Sequence, residues 1–399
     1  MGGAESYLSL AIPEFVQQGN RLALLYECPE EPPTPTIDPR DLDIPRWCSK
    51  DLGPEATLQR VREWDPDIVY SHGLEADALE EALVSHFPVV FHAHNYYGTC
   101  LTGSKRHAFP SPRPCHRRFG AACLILHYPR RCGGLHVGTM ARSYATQKQR
   151  RLRLPRYRGV IVASSHMAAE YARHGVASSR LHQLPYPVPS HRVGETHAPT
   201  TPLLTNVLFM SRLTDLKGGT HLLRAMRDAS DALARGLTLR VAGTGPEQPR
   251  LEALAKRLNV PTTFCGWVRG AGRDRLFQEA DVLAIPSLWP EPFGIVGIEA
   301  ATYGVPSAGY AVGGIVDWLE PGVTGELAPG DPPTARGLAD ALVRVLESPA
   351  YYQSLCDGAK QMATRYNPEG YFQRLQDIME QVTAAWHSGD QDASVCQDA

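Results

Sequence analysis

The sequence predicts an α/β protein built from two doubly wound domains, and three observations carry that prediction. Apolar runs of strand length end repeatedly in glycine or polar turns that open amphipathic helices, the alternation of a parallel sheet covered on both faces. The 399 residues suffice for two cores of ordinary domain size. A stretch rich in Pro and Thr, residues 189–205, divides the chain like a linker.

In chain order, Ser6 to Gln18 carries a helical pattern behind the turn Gly2-Gly3-Ala4-Glu5. Pro66-Asp67-Ile68-Val69-Tyr70-Ser71-His72-Gly73 and Pro88-Val89-Val90-Phe91-His92-Ala93-His94-Asn95 read as buried strands with polar ends, and such ends line the crevice of an open α/β sheet. Val160-Ile161-Val162-Ala163-Ser164-Ser165-His166 closes this first half as a further strand. Beyond the linker, Asn206 to Met210 reads as a strand, the polar loop 211–219 follows it, and His221 to Met226 begins a helix. Leu237 to Ala242 repeats the pattern into the glycine turn Gly243-Thr244-Gly245-Pro246. Asp281 to Ile285 is a strand stopped by Pro286, and Ile295 through Tyr303 is a helix closed by Gly304. From Glu369 to Trp386 apolar residues recur at helical spacing, and residues 387–399 read as a disordered tail.

Composition narrows the function classes. With 43% hydrophobic and 21% charged residues and a net charge of −2, the chain has the balance of a soluble enzyme. No run of eighteen apolar residues and no charged-then-apolar leader occurs, which predicts a cytoplasmic protein. From Leu101 to Arg158 there are fourteen Lys or Arg and no Asp or Glu. That one-signed segment suits docking to the anionic inner face of a membrane, at about 1 kcal/mol per basic residue, or attraction of an anionic acceptor. A solvated insertion is the plainer reading, and no nucleic-acid recognition module accompanies the charge. Cys100, Cys115, Cys123 and Cys132 fall in the same insertion at spacings too wide for a zinc knuckle, which leaves reduced thiols, a redox pair or a metal site open. Cys28, Cys48, Cys265, Cys356 and Cys396 read as isolated thiols.

The richest stretch is Pro290-Glu291-Pro292-Phe293-Gly294-Ile295-Val296-Gly297-Ile298-Glu299-Ala300. Glu291 falls in a strand-to-helix loop and Glu299 one turn inside the helix, so two acceptors are spaced for two sets of vicinal hydroxyls. The free amides around Phe293, Gly294, Ile295 and Val296 suit an anionic or hydroxyl-rich ligand. The same spacing also fits a capped helix with solvated glutamates. Arg212 and Lys217 flank a turn, where the plain reading is a surface charge pair.

Taken together, Glu291-x7-Glu299, the loop Ser211-Arg212-Leu213-Thr214-Asp215-Leu216-Lys217-Gly218-Gly219, Val241 to Pro246, Phe264-Cys265-Gly266-Trp267-Val268, Gly309 to Asp317 and Gly322 to Leu327 resemble, in order, the motifs of retaining glycosyltransferases of the GT-B fold, group 1 (family 4) class. Gly2-Gly3-Ala4-Glu5 resembles the family's first phosphate loop, and His94-Asn95 stands at its His-Asp position. Ser211 departs from the usual glycine and Asn95 from the usual aspartate.

The resemblance implies two Rossmann-like domains facing a cleft: 1–188 for the acceptor, with the basic insertion at about 100–158, and 206–365 for a nucleoside diphosphate sugar. Residues 366–386 would form a helix returning to the first domain. Arg212 and Lys217 would neutralise the diphosphate, Glu291 would hold the sugar hydroxyls and Glu299 the ribose. Gly2, Gly3, Gly243 and Gly245 would allow close backbone approach, and His94 would touch the transferred sugar or the acceptor. His72 and His92 are lesser candidates. The configuration would be retained, the leaving phosphate would take the acceptor proton, and neither a metal nor a cofactor beyond the donor would be required.

One element is lacking: the first strand of the amino-terminal sheet, central in a doubly wound domain, should precede Gly2, which predicts a gap and a misassigned start or a truncation. Met1 to Ser6 also fits a myristoylation pattern. Rival functions are a nucleotide-binding protein of this fold without turnover, and an epimerase or hydrolase. A phosphorylase is disfavoured, since no lysine signature for a pyridoxal cofactor is present.

Overall fold

The structure is a computed structural model that describes residues 3–27, 43–188 and 204–389, with side chains from Tyr7 onward. Gly2, most of the linker and residues 390–399 lie outside the described residues, as do Cys28 and Cys396. Gly3 is the first residue of the helix Gly3–Gln17.

The carboxyl half is a six-stranded, wholly parallel sheet in the order Thr262–Gly266, Thr238–Ala242, Asn206–Met210, Val282–Ile285, Ser307–Tyr310, Gly325–Ala328. Counted within this half the order is 3-2-1-4-5-6, the doubly wound arrangement. Near-continuous apolar strands make this possible, because both faces are covered by helices. Leu208 pairs with Leu283 in the ladder and both are fully buried. The strand order reverses between Asn206–Met210 and Val282–Ile285. Their carboxyl ends therefore open the crevice in which such sheets bind ligands. The loops that leave those two ends are 211–218 and 286–294, the segments on which the sequence places Arg212, Lys217 and Glu291.

The amino half has a four-stranded parallel sheet in simple chain order: Val69–Ser71, Val89–Ala93, Gly159–Val162, Leu181–Gln183. Leu24–Tyr26 and Arg46–Cys48 form a separate parallel pair. Among the described residues no ladder joins the two, although a doubly wound domain would make them one sheet. Glu27 ties them instead, its carboxylate accepting the amides of Glu75 and Ala76 at 2.7 and 2.9 Å.

The long helix Pro368–His387 packs Tyr371, Phe372, Leu375 and Val382 in one cluster with Tyr7, Ala11, Val90 and Ile161. Its apolar stripe thus covers the amino-terminal sheet. Within the basic insertion lie the hairpin Arg106–His107 with Arg113–Pro114 and the helix Val137–Arg153. No helix among the described residues is long and apolar enough to cross a membrane.

Candidate active site at the reversal of strand order

Glycines set the loop geometry. A Cβ on Gly243, whose φ is +127°, would lie 1.9 Å from the carbonyl oxygen of Ser211, and one on Gly245 would lie 2.4 Å from that of Leu213. Backbone bonds knit the same segments: Ser211 N–H to Ala242 O at 3.0 Å, Leu213 N–H to Thr244 O at 2.9 Å and Glu247 N–H to Leu213 O at 3.0 Å. The sequence assigned these two glycines to ligand approach. The space a side chain would take is filled by the protein itself, and the glycines shape the loop that carries Arg212. Gly218, at φ +70°, does the same on the other side, since its Cβ would fall 1.8 Å from Pro286 O, and Leu288 N–H bonds Leu216 O at 2.7 Å. The docked loops bring Lys217 to Glu291.

Glu291 is buried, at 5% exposure, and its Oε1 accepts from Lys217 Nζ at 2.6 Å, Ser287 Oγ at 2.5 Å and Trp289 Nε1 at 2.9 Å. The ammonium also lies 5.5 Å from the centroid of the Trp289 ring. Desolvated charge of this kind is tolerated only when paired and hydrogen-bonded. The backbone of Glu291 is clamped as well: Gly314 N–H donates to its carbonyl at 2.7 Å, and a Cβ on Gly313, at φ +57°, would sit 2.3 Å from that oxygen. The resemblance implies separate tasks for Lys217 and Glu291; the fold makes them one ion pair.

Glu299 lies on the helix Ile295–Thr302, whose N-cap is Gly294 in the left-handed region. It is buried and ion-paired with Arg273, whose Nε also points at Met210 Sδ, 3.3 Å away. Arg273 escaped the sequence reading because it arrives from a different helix, Ala271–Gln278. Trp318 was missed too. Its indole N–H donates to Phe293 O at 2.8 Å and its ring lies where Gly297 has no side chain, 1.9 Å from an ideal Cβ. Phe293 itself is core, at 1% exposure, whereas Ile295 is exposed, and the first-turn amides of Ile295 and Val296 have no acceptor within the helix. Arg212 is exposed and, among the described residues, its guanidinium has no partner.

Across the crevice, His94 follows the strand Val89–Ala93. Its Nδ1 lies 2.5 Å from the Tyr186 hydroxyl and its Nε2 lies 2.7 Å from His72 Nδ1. Burial lowers its pKa to about 4, so the ring is neutral at ordinary pH. The Tyr186 ring that holds His94 lies 6.2 Å from that of Phe293, on the loop that carries Glu291. The halves also meet where Ser165 N–H and Oγ donate to Asp317 at 2.7 and 2.5 Å.

The insertion is less one-signed than its sequence. Lys105 pairs with Glu170 at 2.7 Å, Arg106 with Asp215 at 2.7 Å and Arg113 with Asp331 at 3.0 Å. Arg150 and Arg153 face Asp77, and Arg153 and Arg156 face Glu81. Six of the fourteen bases therefore serve intramolecular pairs, two of them reaching the carboxyl half. The carboxylates come from distant parts of the chain, which is why local composition showed only the positive sign. Cys100, Cys115, Cys123 and Cys132 are free thiols, and burial followed by their mutual repulsion pushes Cys132 up to about 11.

Comparison with known families agrees with this geometry. Residues 1–192 match the model described as Glycosyltransferase Family 4, and residues 204–362 match the one described as Glycosyl transferases group 1. The chain belongs to the group 1 glycosyltransferases. Among curated relatives, a D-inositol 3-phosphate glycosyltransferase of Salinispora arenicola is 30% identical over 200 residues, 48% of this chain and 44% of that protein. The chain thus spans less than half the length of this relative. Among solved structures, a sucrose-phosphate synthase from Thermosynechococcus elongatus aligns at TM-score 0.70 and 20% identity, covering 96% of this chain and 94% of its own. An Anabaena protein solved in complex with UDP aligns at TM-score 0.62 and 19% identity, over 85% and 86% of the two chains. At these identities the neighbours establish the GT-B fold.

Proposed function

We propose that this group 1 glycosyltransferase moves a sugar from a nucleoside diphosphate sugar to a hydroxyl acceptor with retention of anomeric configuration. The observation that carries the reading is the Lys217–Glu291 pair at the reversal of strand order, where an anion-neutralising group and a hydroxyl acceptor are held 2.6 Å apart. Charge builds on the leaving diphosphate as the glycosidic bond loosens. In this reading Lys217, Arg212 and the amides of Ile295 and Val296 meet that charge and stabilise the transition state. Glu291 takes sugar hydroxyls. Glu299 takes the ribose once Arg273 swings aside, and the leaving phosphate oxygen receives the acceptor proton. His94, neutral and held by Tyr186, contacts the sugar from the opposite wall.

The Anabaena neighbour's complex makes UDP the first nucleotide to try. The domain division is part of the same proposal: 1–188 presents the acceptor, 206–365 the donor, and 366–386 returns to the first domain. The intramolecular pairing of Arg106, Arg113 and their neighbours favours a structural use of the insertion over membrane docking.

The test is transfer itself, with UDP-, GDP- and ADP-sugars offered alongside hydroxyl acceptors and the product's anomeric proton read by NMR. An α-linked product from an α-linked donor supports the proposal. An inverted product or no transfer from any donor contradicts it.

A further inference from the structure

We propose that His72, His92 and His94 form a binding site for a divalent transition-metal ion of the zinc class. Their ligand nitrogens all lie within 4.8 Å of one another. The placement follows from the sheet: His92 lies on the strand Val89–Ala93 and His94 just past its end at the alternate position, while the register Ser71 with Phe91 brings His72, just past the end of the neighbouring strand, alongside them. A tetrahedral ion bound at about 2.0–2.1 Å needs ligand nitrogens roughly 3.4 Å apart, within reach of small side-chain movements.

The hydrogen bonding leaves the right atoms over. His92 Nδ1 is 2.6 Å from the Tyr70 hydroxyl and His94 Nδ1 is 2.5 Å from that of Tyr186. In a neutral ring one nitrogen carries the proton and the other a lone pair. With Nδ1–H donating to each tyrosine, Nε2 of both histidines presents its lone pair to the cluster. That is the arrangement of metal-binding histidines, whose outer nitrogen is fixed by a hydrogen-bond partner. Nε2 of His92 is buried without any hydrogen-bond partner among the described residues, a costly state that an ion between the rings would relieve. His72 Nδ1 and His94 Nε2, 2.7 Å apart, would part slightly to admit it.

Three imidazoles and no carboxylate select a borderline ion such as Zn²⁺ or Co²⁺ over Mg²⁺ or Ca²⁺. A three-ligand set also leaves a fourth position open. The Tyr7 ring closes over the cluster, 4.9 Å from His92 and 5.6 Å from His72. The site requires no nucleotide, and with Nδ1 held by Tyr186 and Nε2 on the ion, the metal-bound His94 has no ring nitrogen left for the sugar.

The test uses the full chain, reduced, stripped with chelator and titrated with Co²⁺, read by calorimetry and by visible and near-ultraviolet absorbance. The four insertion cysteines also bind such ions, so the spectrum separates the two sources: thiolate ligation adds charge-transfer absorption and imidazole ligation does not. One equivalent bound with a nitrogen-type spectrum supports the site. His92→Gln should then weaken it at least a hundredfold and Tyr70→Phe, which keeps the ring set but frees His92, about ten- to a hundredfold, whereas Cys123→Ser leaves it unchanged. Absence of Co²⁺ binding, or binding of thiolate type that His92→Gln leaves intact, overturns the proposal. UDP titrated into the same His92→Gln sample reports the cleft separately, so failure of one reading is not failure of the other.

Discussion

Lys217 and Glu291, seventy-four residues apart in the chain, share a 2.6 Å ion pair in which the carboxylate is buried and the ammonium only partly exposed. The relationship couples the loops that leave the two central strands of the carboxyl sheet. Removing one partner touches both fold and ligand binding.

Lys217→Ala leaves Glu291 with Ser287 and Trp289 but no counter-charge. We expect a stability loss of about 1–3 kcal/mol, below the cost of breaking a fully buried pair because two hydrogen bonds remain. Glu291→Gln, which keeps an acceptor for both, should lose less. Urea unfolding of the two variants checks the order; equal losses would contradict it.

How far was this legible beforehand? Strand-loop-helix units around 206–217 and 281–299 could be read because strand length, glycine turns and helical periodicity are local signals, and the two glutamates sit on one such unit. Arg273 on Glu299, Trp318 over Gly297 and Tyr186 on His94 could not, since each contact joins elements whose spacing in sequence carries no register. Gly243 and Gly245 were legible as a glycine turn, but the carbonyls of Ser211 and Leu213 that a Cβ there would meet were not, because they come from a separate loop. The insertion misled for a related reason: its bases are contiguous, while Asp215 and Asp331, which pair with Arg106 and Arg113, are over a hundred residues away.

Gly297→Ala places a methyl group in the Trp318 ring. Overpacking of this kind costs about 1–3 kcal/mol, and because Trp318 also holds the Phe293 carbonyl, the loop before the helix should loosen. Thermal melting followed by tryptophan fluorescence measures both effects. An unchanged melt would show that the ring moves freely.

If Glu299 serves the ribose, Glu299→Gln should weaken UDP about tenfold and leave inorganic pyrophosphate unaffected, because a lost charge-assisted hydrogen bond is worth about 1.5–3 kcal/mol only to the ligand that makes it. Competition binding with the two ligands decides. Equal weakening of both would place Glu299 at the phosphates instead.

Acidification should loosen the insertion through His174. Its Nε2 accepts Phe119 N–H at 3.0 Å while its Nδ1 meets Glu170 O at 2.7 Å, so the bonded ring is neutral, and burial holds its pKa below the ordinary 6.5. The folded value lies under the unfolded one, so this contribution is complete above pH ~6.5 and is lost as pH falls through the lower, folded pKa. Melting temperatures between pH 7.5 and 5 should drop, and His174→Phe should flatten part of that slope. A slope identical in the variant would rule the histidine out.

Calorimetric titration of the full chain with UDP, GDP and ADP, repeated on Lys217→Ala, tests the central claim most directly. The account predicts that one nucleoside diphosphate binds wild type and that the variant binds it at least tenfold more weakly. Absence of binding by all three, or equal affinity in the variant, would contradict a donor cleft at the Lys217–Glu291 pair.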